Sequence, residues 1–593
     1  MSIMAGVISR TNNFPISESI CSSFHSVLPI NDFSNLYEYK TDSAFFIKID
    51  LGILTSKGFH VDDNSDAFSM LVGEPYLTTN SESETYTRQK DLLELHKCFN
   101  SEKWDVLQKA TGVFAFAYYS QNKKLFSIAT DKLGIRPLYV WYNKDFLVFS
   151  TILNVFNNLK FVPKVMDTIA VAQIAQLGYP IGRRTNFIGI ELLESAEQIL
   201  LQNDKLKNIF YHVWKAKDVH DFQQKELLKI TKNRFISAIR KRLRKPDEVY
   251  AFLSGGLDSR CVVSALRSQN VKVTTFGFSI YGSQDDVFGQ MFADKVSCFH
   301  NPIGRKNIAV KCAEGEWSFL ISEAIETKIN RSKRTPHLVW SGDGGSVSAG
   351  CVYLTKKIVE LLTQRKTADA VSLFLSNEAS NISEKVLNLK VAKVLASATH
   401  NGILNELKKI QNENPVRAFL IFLLKNDQRR HLCGHFETIG KHQVELLLPF
   451  FDSDFIDAIF HIPIKQLLYH HFYHIWLKEM DPAVTAVPWQ TYPGHEPCPV
   501  TGPENLPYQW DSSQYEQQNK YIKQGLIQKG NAILRVKKFP HHILNKKKLW
   551  FAHWANKLGL REANCAINTA EIFLNFWSLA KEQDEIKHIE DFG

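Results

Sequence analysis

The chain has 593 residues, of which 44% are hydrophobic and 22% charged, with a net charge of +10. That composition excludes a mainly disordered chain. Gly 29 and Pro 20 exclude collagen-like and Pro-rich readings.

At roughly 100–200 residues per domain, the length predicts two large domains or about three to five smaller units. The nine cysteines are scattered and contain no CxxC, which argues against a disulfide scaffold or a zinc ribbon. Met1–Arg10 lacks a charged region followed by an apolar core, so no signal peptide is expected. The longest apolar runs, such as Ala418–Leu424, fall far short of the roughly 20 residues that span a bilayer. The expectation is a soluble cytoplasmic protein with neither membrane nor nucleic acid as partner. Two dense basic stretches, Arg240–Lys245 and Lys546–Lys548, read as solvated helix faces.

The first third reads as β-rich. Gly112–Tyr119 is a dense aromatic run. Leu125–Ala129 and Phe146–Ser150 are short apolar strands, and turn-like Asn143–Asp145 precedes the second. Glu226–Leu243 has the apolar spacing of a helix. A domain boundary is expected in the polar stretch Lys215–Glu226. Next, Glu248–Leu253 reads as a strand and Arg260–Arg267 as a helix. Val271–Phe278 follows as a strand, Gly289–Val296 as a helix and Leu338–Trp340 as a strand. That alternation predicts a parallel α/β sheet. Beyond Lys356 the chain reads as helical, with amphipathic stretches at Ala368–Phe374, Glu384–Ala396 and Arg417–Lys425.

The sharpest feature is Ser254-Gly255-Gly256-Leu257-Asp258-Ser259, between a strand and a helix. Two glycines let the backbone turn tightly and approach a ligand. The helix start favours an anion, and successive amides can form a phosphate-sized concavity. Ser254 and Ser259 add hydroxyls, and Asp258 can hold a magnesium ion that bridges phosphates. The Gly-Lys-Ser/Thr ending of a Walker A loop is absent.

This string is the pyrophosphate-loop signature of ATP pyrophosphatases, and it resembles the asparagine synthetase superfamily. Ser341-Gly342-Asp343-Gly344-Gly345-Ser346 resembles that family's second Gly-rich loop, SG(E/D)G(S/A)D. Val444–Asp452 resembles its VExRxPFLD motif. Asp131–Tyr139 looks like DRxGxRPLYY, Leu71–Tyr76 like VNGEIYN, and Asn186–Ala196 like FxGIxxLxPG. The resemblance covers roughly residues 1–500. It implies an N-terminal Ntn-hydrolase-like α/β/β/α sandwich over residues 1–220. A parallel-sheet ATP pyrophosphatase (adenine nucleotide α-hydrolase-like) synthetase domain with a helical C-terminal part follows over residues 221–593.

It also implies adenylation: a carboxylate attacks the α-phosphate of ATP, pyrophosphate leaves, and an amine then displaces AMP. On that reading Leu253, Ser254, Gly255, Gly256, Asp258, Ser259, Ser341 and Gly342 bind ATP. Phe276, Gly277 and Phe278 hold the adenine, Asp258 holds Mg2+, and Asp343 and Glu445 are the candidate bases. For Glu445 the competing reading is a helix cap or an ion pair with Arg429 or Arg430.

Three departures matter. Ala5 stands where a glutaminase has its nucleophilic cysteine, and Val72 stands for the oxyanion Asn. Ser346 replaces the second loop's metal-holding Asp, and Val487–His495 lacks the family's Lys. The expected enzyme is therefore an ATP-dependent, AMP-forming carbon–nitrogen ligase without glutamine hydrolysis. It is like the divergent β-lactam synthetases and lasso-peptide macrolactam synthetases, with a small-molecule or peptide carboxylate and amine as substrates. A lasso system would add a precursor peptide and a protease as partners. The alternatives are amidation of a sugar acid for surface polysaccharide, or a catalytically dead nucleotide-binding scaffold. His470, His471 and His474 share helical spacing and read as packing rather than metal ligands. The loop Trp489–His495 reads either as an acceptor-pocket wall or as a rigid surface loop.

Overall fold

A computed structural model describes residues 3–10, 15–28, 35–54, 56–62, 66–77, 87–216, 223–244, 247–303, 336–410, 413–442, 444–492, 495–508 and 519–580. The chain forms two compact units. One comprises residues 1–158, 193–356 and 411–511, and the other comprises 159–192, 357–410 and 512–593.

The first unit begins with two antiparallel sheets. In one, the strands Tyr139–Tyr142, Phe146–Ser150, Ile3–Ser9, Ala44–Asp50 and Asn35–Lys40 lie side by side in that order. The other orders Lys205–Phe210, Glu197–Gln202, Leu125–Thr130, Phe114–Ser120, Ala67–Gly73 and Phe59–Asp62. The run Phe114–Ser120 shows why sheets form here. Its even-numbered Phe114, Phe116 and Tyr118 pack with Leu92, Leu95 and Phe99 of the helix Arg88–Asn100. Its odd-numbered Ala115, Ala117 and Tyr119 join Phe46, Phe68 and Phe149 in the core between the sheets. Period-two alternation of two buried faces makes every residue of the strand apolar except its last. On the outer side of the other sheet, Phe24 of the helix Glu18–His25 meets Phe45 edge-on at 5.8 Å. The layers are helix, sheet, sheet, helix, as expected.

His96 lies buried within these layers. Its Nδ1 is 2.8 Å from Ser69 Oγ, and its ring stands edge-on to His60 at 4.6 Å. Burial, reinforced by His60, pushes its pKa down to about 4. The neutral form is the folded form, so its stability contribution is present above about pH 6.5 and fades as pH falls towards 4. At pH 5 the loss is at most about 2 kcal/mol. His96→Gln is expected to lose less melting temperature than the wild type between about pH 7 and pH 5, read by thermal melts. An equal loss in both proteins would remove this role.

The third sheet is wholly parallel. It orders Phe299–Pro302, Lys272–Gly277, Glu248–Phe252, His337–Trp340 and Val444–Leu447. Chain order reverses between the neighbours Glu248–Phe252 and His337–Trp340, which creates a crevice at their carboxyl ends. The helix Gln224–Arg242 precedes this sheet, as its spacing predicts.

The basic stretch at Arg240–Lys245 differs from its reading as a solvated face. Arg242 is 3% exposed and donates to Asp452 at 2.9 Å. Lys241 reaches Asp452 and Asp454, and Arg244 donates to Glu74. Carboxylates distant in sequence fold onto these cations, which periodicity cannot foresee. Lys245 lies outside the described residues.

The second unit is helical where described, apart from short extended pieces. Val171, Val391, Leu395, Ile533, Leu549 and Phe573 belong to one apolar core there.

Candidate functional site

Both glycine loops leave the carboxyl ends of the two strands that flank the crevice. The strand Glu248–Phe252 runs through Leu253 into the first loop, and the helix Leu257–Arg267 begins directly behind it. A Cβ on Gly255 would lie 2.7 Å from Asp285 Cα and 2.9 Å from Gln284 O, so only glycine fits. The Gly255 amide donates to Asp285 Oδ1 at 2.7 Å. The Ser254 amide donates to Ser259 Oγ at 3.0 Å, and the two hydroxyls also lie 3.0 Å apart. Both amides are thus bonded by side chains, which fix the turn of the loop.

The second loop packs on the first. A Cβ on Gly342 would sit 2.7 Å from Ser259 N, and one on Gly345 would sit 2.6 Å from Asp258 Cγ. Two glycines thus bring Asp258 against the second loop. The Asp258 carboxylate is half-buried and accepts three donors: Ser346 N at 2.7 Å, Ser346 Oγ at 2.9 Å and Tyr473 OH at 2.7 Å. Burial raises its pKa to about 6, against the pull of those donors. Asp343 is close enough to act on Asp258 electrostatically, and it accepts a hydrogen bond from Ser341 Oγ at 2.5 Å.

The structure therefore brings Ser254, Gly255, Gly256, Asp258, Ser259, Ser341, Gly342 and Asp343 together. Leu253 joins them, its amide bonded to Phe276 O at 2.8 Å. Gly277 lies against Leu253 O and His300, and Phe278 meets Phe252 at 5.7 Å. Phe276 and Gly277 thus end the strand beside the first loop, and Phe278 lies just beyond it. Glu445 is placed differently. It is level with Leu338, three residues before the second loop, and its Oε1 lies 3.5 Å from Arg136 Nη1. The partner is thus Arg136, not Arg429 or Arg430. Arg429 instead donates to the carbonyls of Gly134 and Leu193.

Three side chains that hold the two loops escape sequence reasoning. Tyr473 comes from the helix His471–Met480, more than 200 residues from its acceptor. Asp285 caps the loop amide from the start of another helix. Arg260 is fully buried, and its guanidinium donates to the carbonyls of Gly255, Phe288, Val484, Val487 and Pro488. Only Arg260 carried a signal, an arginine in the first turn after an apolar strand and a glycine loop.

Gln490 N donates to Gly255 O at 3.2 Å, so the loop starting at Trp489 sits on the glycine loop. Pro493 and Gly494 of that loop lie outside the described residues. His470 and His495 share a 2.8 Å hydrogen bond, and Glu496 contacts His471 and His474.

Among the described residues no cluster of three His, Cys, Asp or Glu side chains forms a metal seat. Magnesium needs less than that, because one carboxylate with phosphate and water oxygens fills its shell. A carboxylate has about four acceptor positions, and Asp258 uses three. Asp258, Asp285 and Asp343 surround the loop, while Arg260 is spent on carbonyls. The residues fit a cation that arrives with a nucleotide.

Residues 77–213 match a glutamine amidotransferase domain family, and residues 231–303 match the asparagine synthase family. A putative asparagine synthetase of Methanocaldococcus jannaschii is 28% identical over 212 residues, 35% of this chain and 41% of that protein. Asparagine synthetase 3 of Bacillus subtilis is 27% identical, covering 27% of this chain and 26% of that protein. Amidase chyE of Penicillium rubens is 24% identical over 38% of this chain and 34% of its own length. The matches thus span less than half of each relative. No helix among the described residues is long and apolar enough to cross a membrane.

Proposed function

We propose that this chain, a member of the asparagine synthetase superfamily, is an ATP-dependent ligase that joins a carboxylate to an amine without hydrolysing glutamine. The observation that carries the reading is the convergence of two glycine loops on Asp258 at the reversal point of a parallel sheet.

The chemistry follows from the groups there. A substrate carboxylate attacks the α-phosphate of ATP, forming acyl-AMP as the bond to pyrophosphate breaks. The hydroxyls of Ser254 and Ser259, at the start of the helix Leu257–Arg267, bind the departing pyrophosphate. In-line positioning and charge stabilisation supply the rate, since little covalent chemistry falls to the protein. Asp258 would hold a magnesium ion arriving with the nucleotide, and that ion would supply charge neutralisation on the phosphates. The carboxyl end of the strand Lys272–Gly277 receives the adenine. Asp343 then takes a proton from the amine as nitrogen bonds to the acyl carbon and AMP leaves. Glu445, held by Arg136, positions the strand beside the second loop.

Loss of glutamine hydrolysis is supported by three features. Ala5 is fully buried inside a strand, paired with Ile47 and Ser150. Glu74 is 5% exposed and bonded by Arg244 and by Tyr76 OH. The Tyr76 ring fills the space a side chain on Gly112 would need, at 2.5 Å. Incubation with amide-labelled glutamine is expected to release no labelled ammonia; labelled ammonia would restore a glutaminase. The amine then comes from the substrate itself. A peptide macrolactam or another specialised-metabolite amide is the reading we favour, with sugar-acid amidation as the competing substrate class.

Calorimetric titration with magnesium-ATP tests the site. Wild type is expected to bind. Asp343→Asn is expected to bind as wild type but, once the substrate pair is found, to form product at least about 100-fold more slowly. No binding by folded wild type would favour the dead-scaffold reading, in which the Ser346–Asp258 bonds close the site.

A further inference from the structure

Residues 519–561 contain eleven Lys and Arg and not one Asp or Glu. That exceeds the net charge of the entire chain, +10, so the rest of the molecule is close to neutral. Ordinary solvated helices intersperse both signs, and this stretch does not. Lys523, Lys537, Lys538, Lys547 and Lys548 are exposed and have no carboxylate partner among the described residues. Lys529 is bonded to Glu571.

An apolar surface lies among these cations. The helix Lys546–Lys557 buries Leu549, His553 and Asn556, one face at helical spacing. Its other face leaves Trp550 at 46%, Phe551 at 67% and Trp554 at 39% exposure. The turn that follows exposes Leu558 at 65% and Leu560 at 77%. Five large hydrophobic side chains in eleven residues form a patch rather than scattered exposure. Lys557 lies over the Trp554 ring at 4.7 Å, so charge and aromatic surface are presented together.

We propose that this face docks on an anionic lipid bilayer surface. The cations favour a polyanion, and the side chains select among polyanions. Trp and Phe suit the headgroup level, where one end of a side chain is apolar and the other wet. Leu558 and Leu560 give nothing to a nucleic acid base but gain by entering the acyl boundary. Several lysines near a negative surface each add attraction that salt screens. Surface docking needs no spanning helix. It goes against the expectation of no membrane partner and the solvated reading of Lys546–Lys548. It does not rest on the ligase reading.

The test is sedimentation of the full chain with phosphatidylcholine vesicles, with or without about one-third phosphatidylglycerol. Binding is expected only with phosphatidylglycerol, and to weaken with salt. Lys547→Gln with Lys548→Gln should weaken it roughly tenfold or more. Trp550→Ala with Phe551→Ala should weaken it by a similar factor. All four side chains are exposed, so unchanged melting curves show that folding is intact. Equal binding to both vesicles, no binding to either, or an aromatic variant that binds like wild type would overturn the proposal. So would displacement of the vesicles by a single-stranded oligonucleotide, which would make nucleic acid the partner.

Discussion

Arg260→Ala is expected to cost about 4 kcal/mol, the largest stability loss of any single change in the site. The guanidinium is buried and donates to five carbonyls from three stretches of chain. It also lies over the Phe292 ring at 5.3 Å. Each orphaned buried acceptor costs roughly 1–3 kcal/mol, and water entering the cavity recovers part of that. Because Gly255 O and Pro488 O share this one side chain, the glycine loop should loosen along with the Val484–Pro488 stretch. Chemical denaturation should show the lost stability, and calorimetry should show weaker nucleotide binding. Arg260→Lys should recover little, since a single ammonium cannot span five acceptors. A variant as stable as wild type would mean that these carbonyls find other donors.

Gly255→Ala is expected to abolish measurable magnesium-ATP binding, a loss of roughly 100-fold or more. The new Cβ would meet Asp285 Cα at 2.7 Å and Gln284 O at 2.9 Å. Both are backbone atoms, so the loop must move instead. Gly256→Ala is the matched control. Its nearest contact would be the Ser254 hydroxyl at 3.3 Å, and its φ of −81° suits any residue. Its affinity should change less than about threefold. Equal effects of the two substitutions would detach binding from the geometry of this loop.

The local grammar of the chain was legible without coordinates. Gly112–Tyr119 announced a strand buried on both faces, because both sets of alternate residues are apolar or aromatic. The strand, Gly-Gly loop and helix around Asp258 announced a tight turn that packs closely on a neighbouring element, because glycine has no Cβ to hold it off. Ala5 announced a side chain without a nucleophilic atom at that position. All of these depend on residues adjacent in sequence, where covalent connection alone sets the geometry.

The partners of each buried charge were decided only by the tertiary structure. Glu445 could be read as a base or as half of an ion pair. The register of its strand, level with Leu338, set it against Arg136. Tyr473 and Ser346 could not be assigned to Asp258 from spacing, since they lie 215 and 88 residues away. The basic run ending at Lys245 read as surface until Asp452 and Glu74 folded onto it. Lys547 and Lys548 found no carboxylate among the described residues. Two basic strings thus met opposite ends. A charge is buried or exposed according to whether a distant counter-charge reaches it, and that follows from the packing of elements rather than from sequence neighbours.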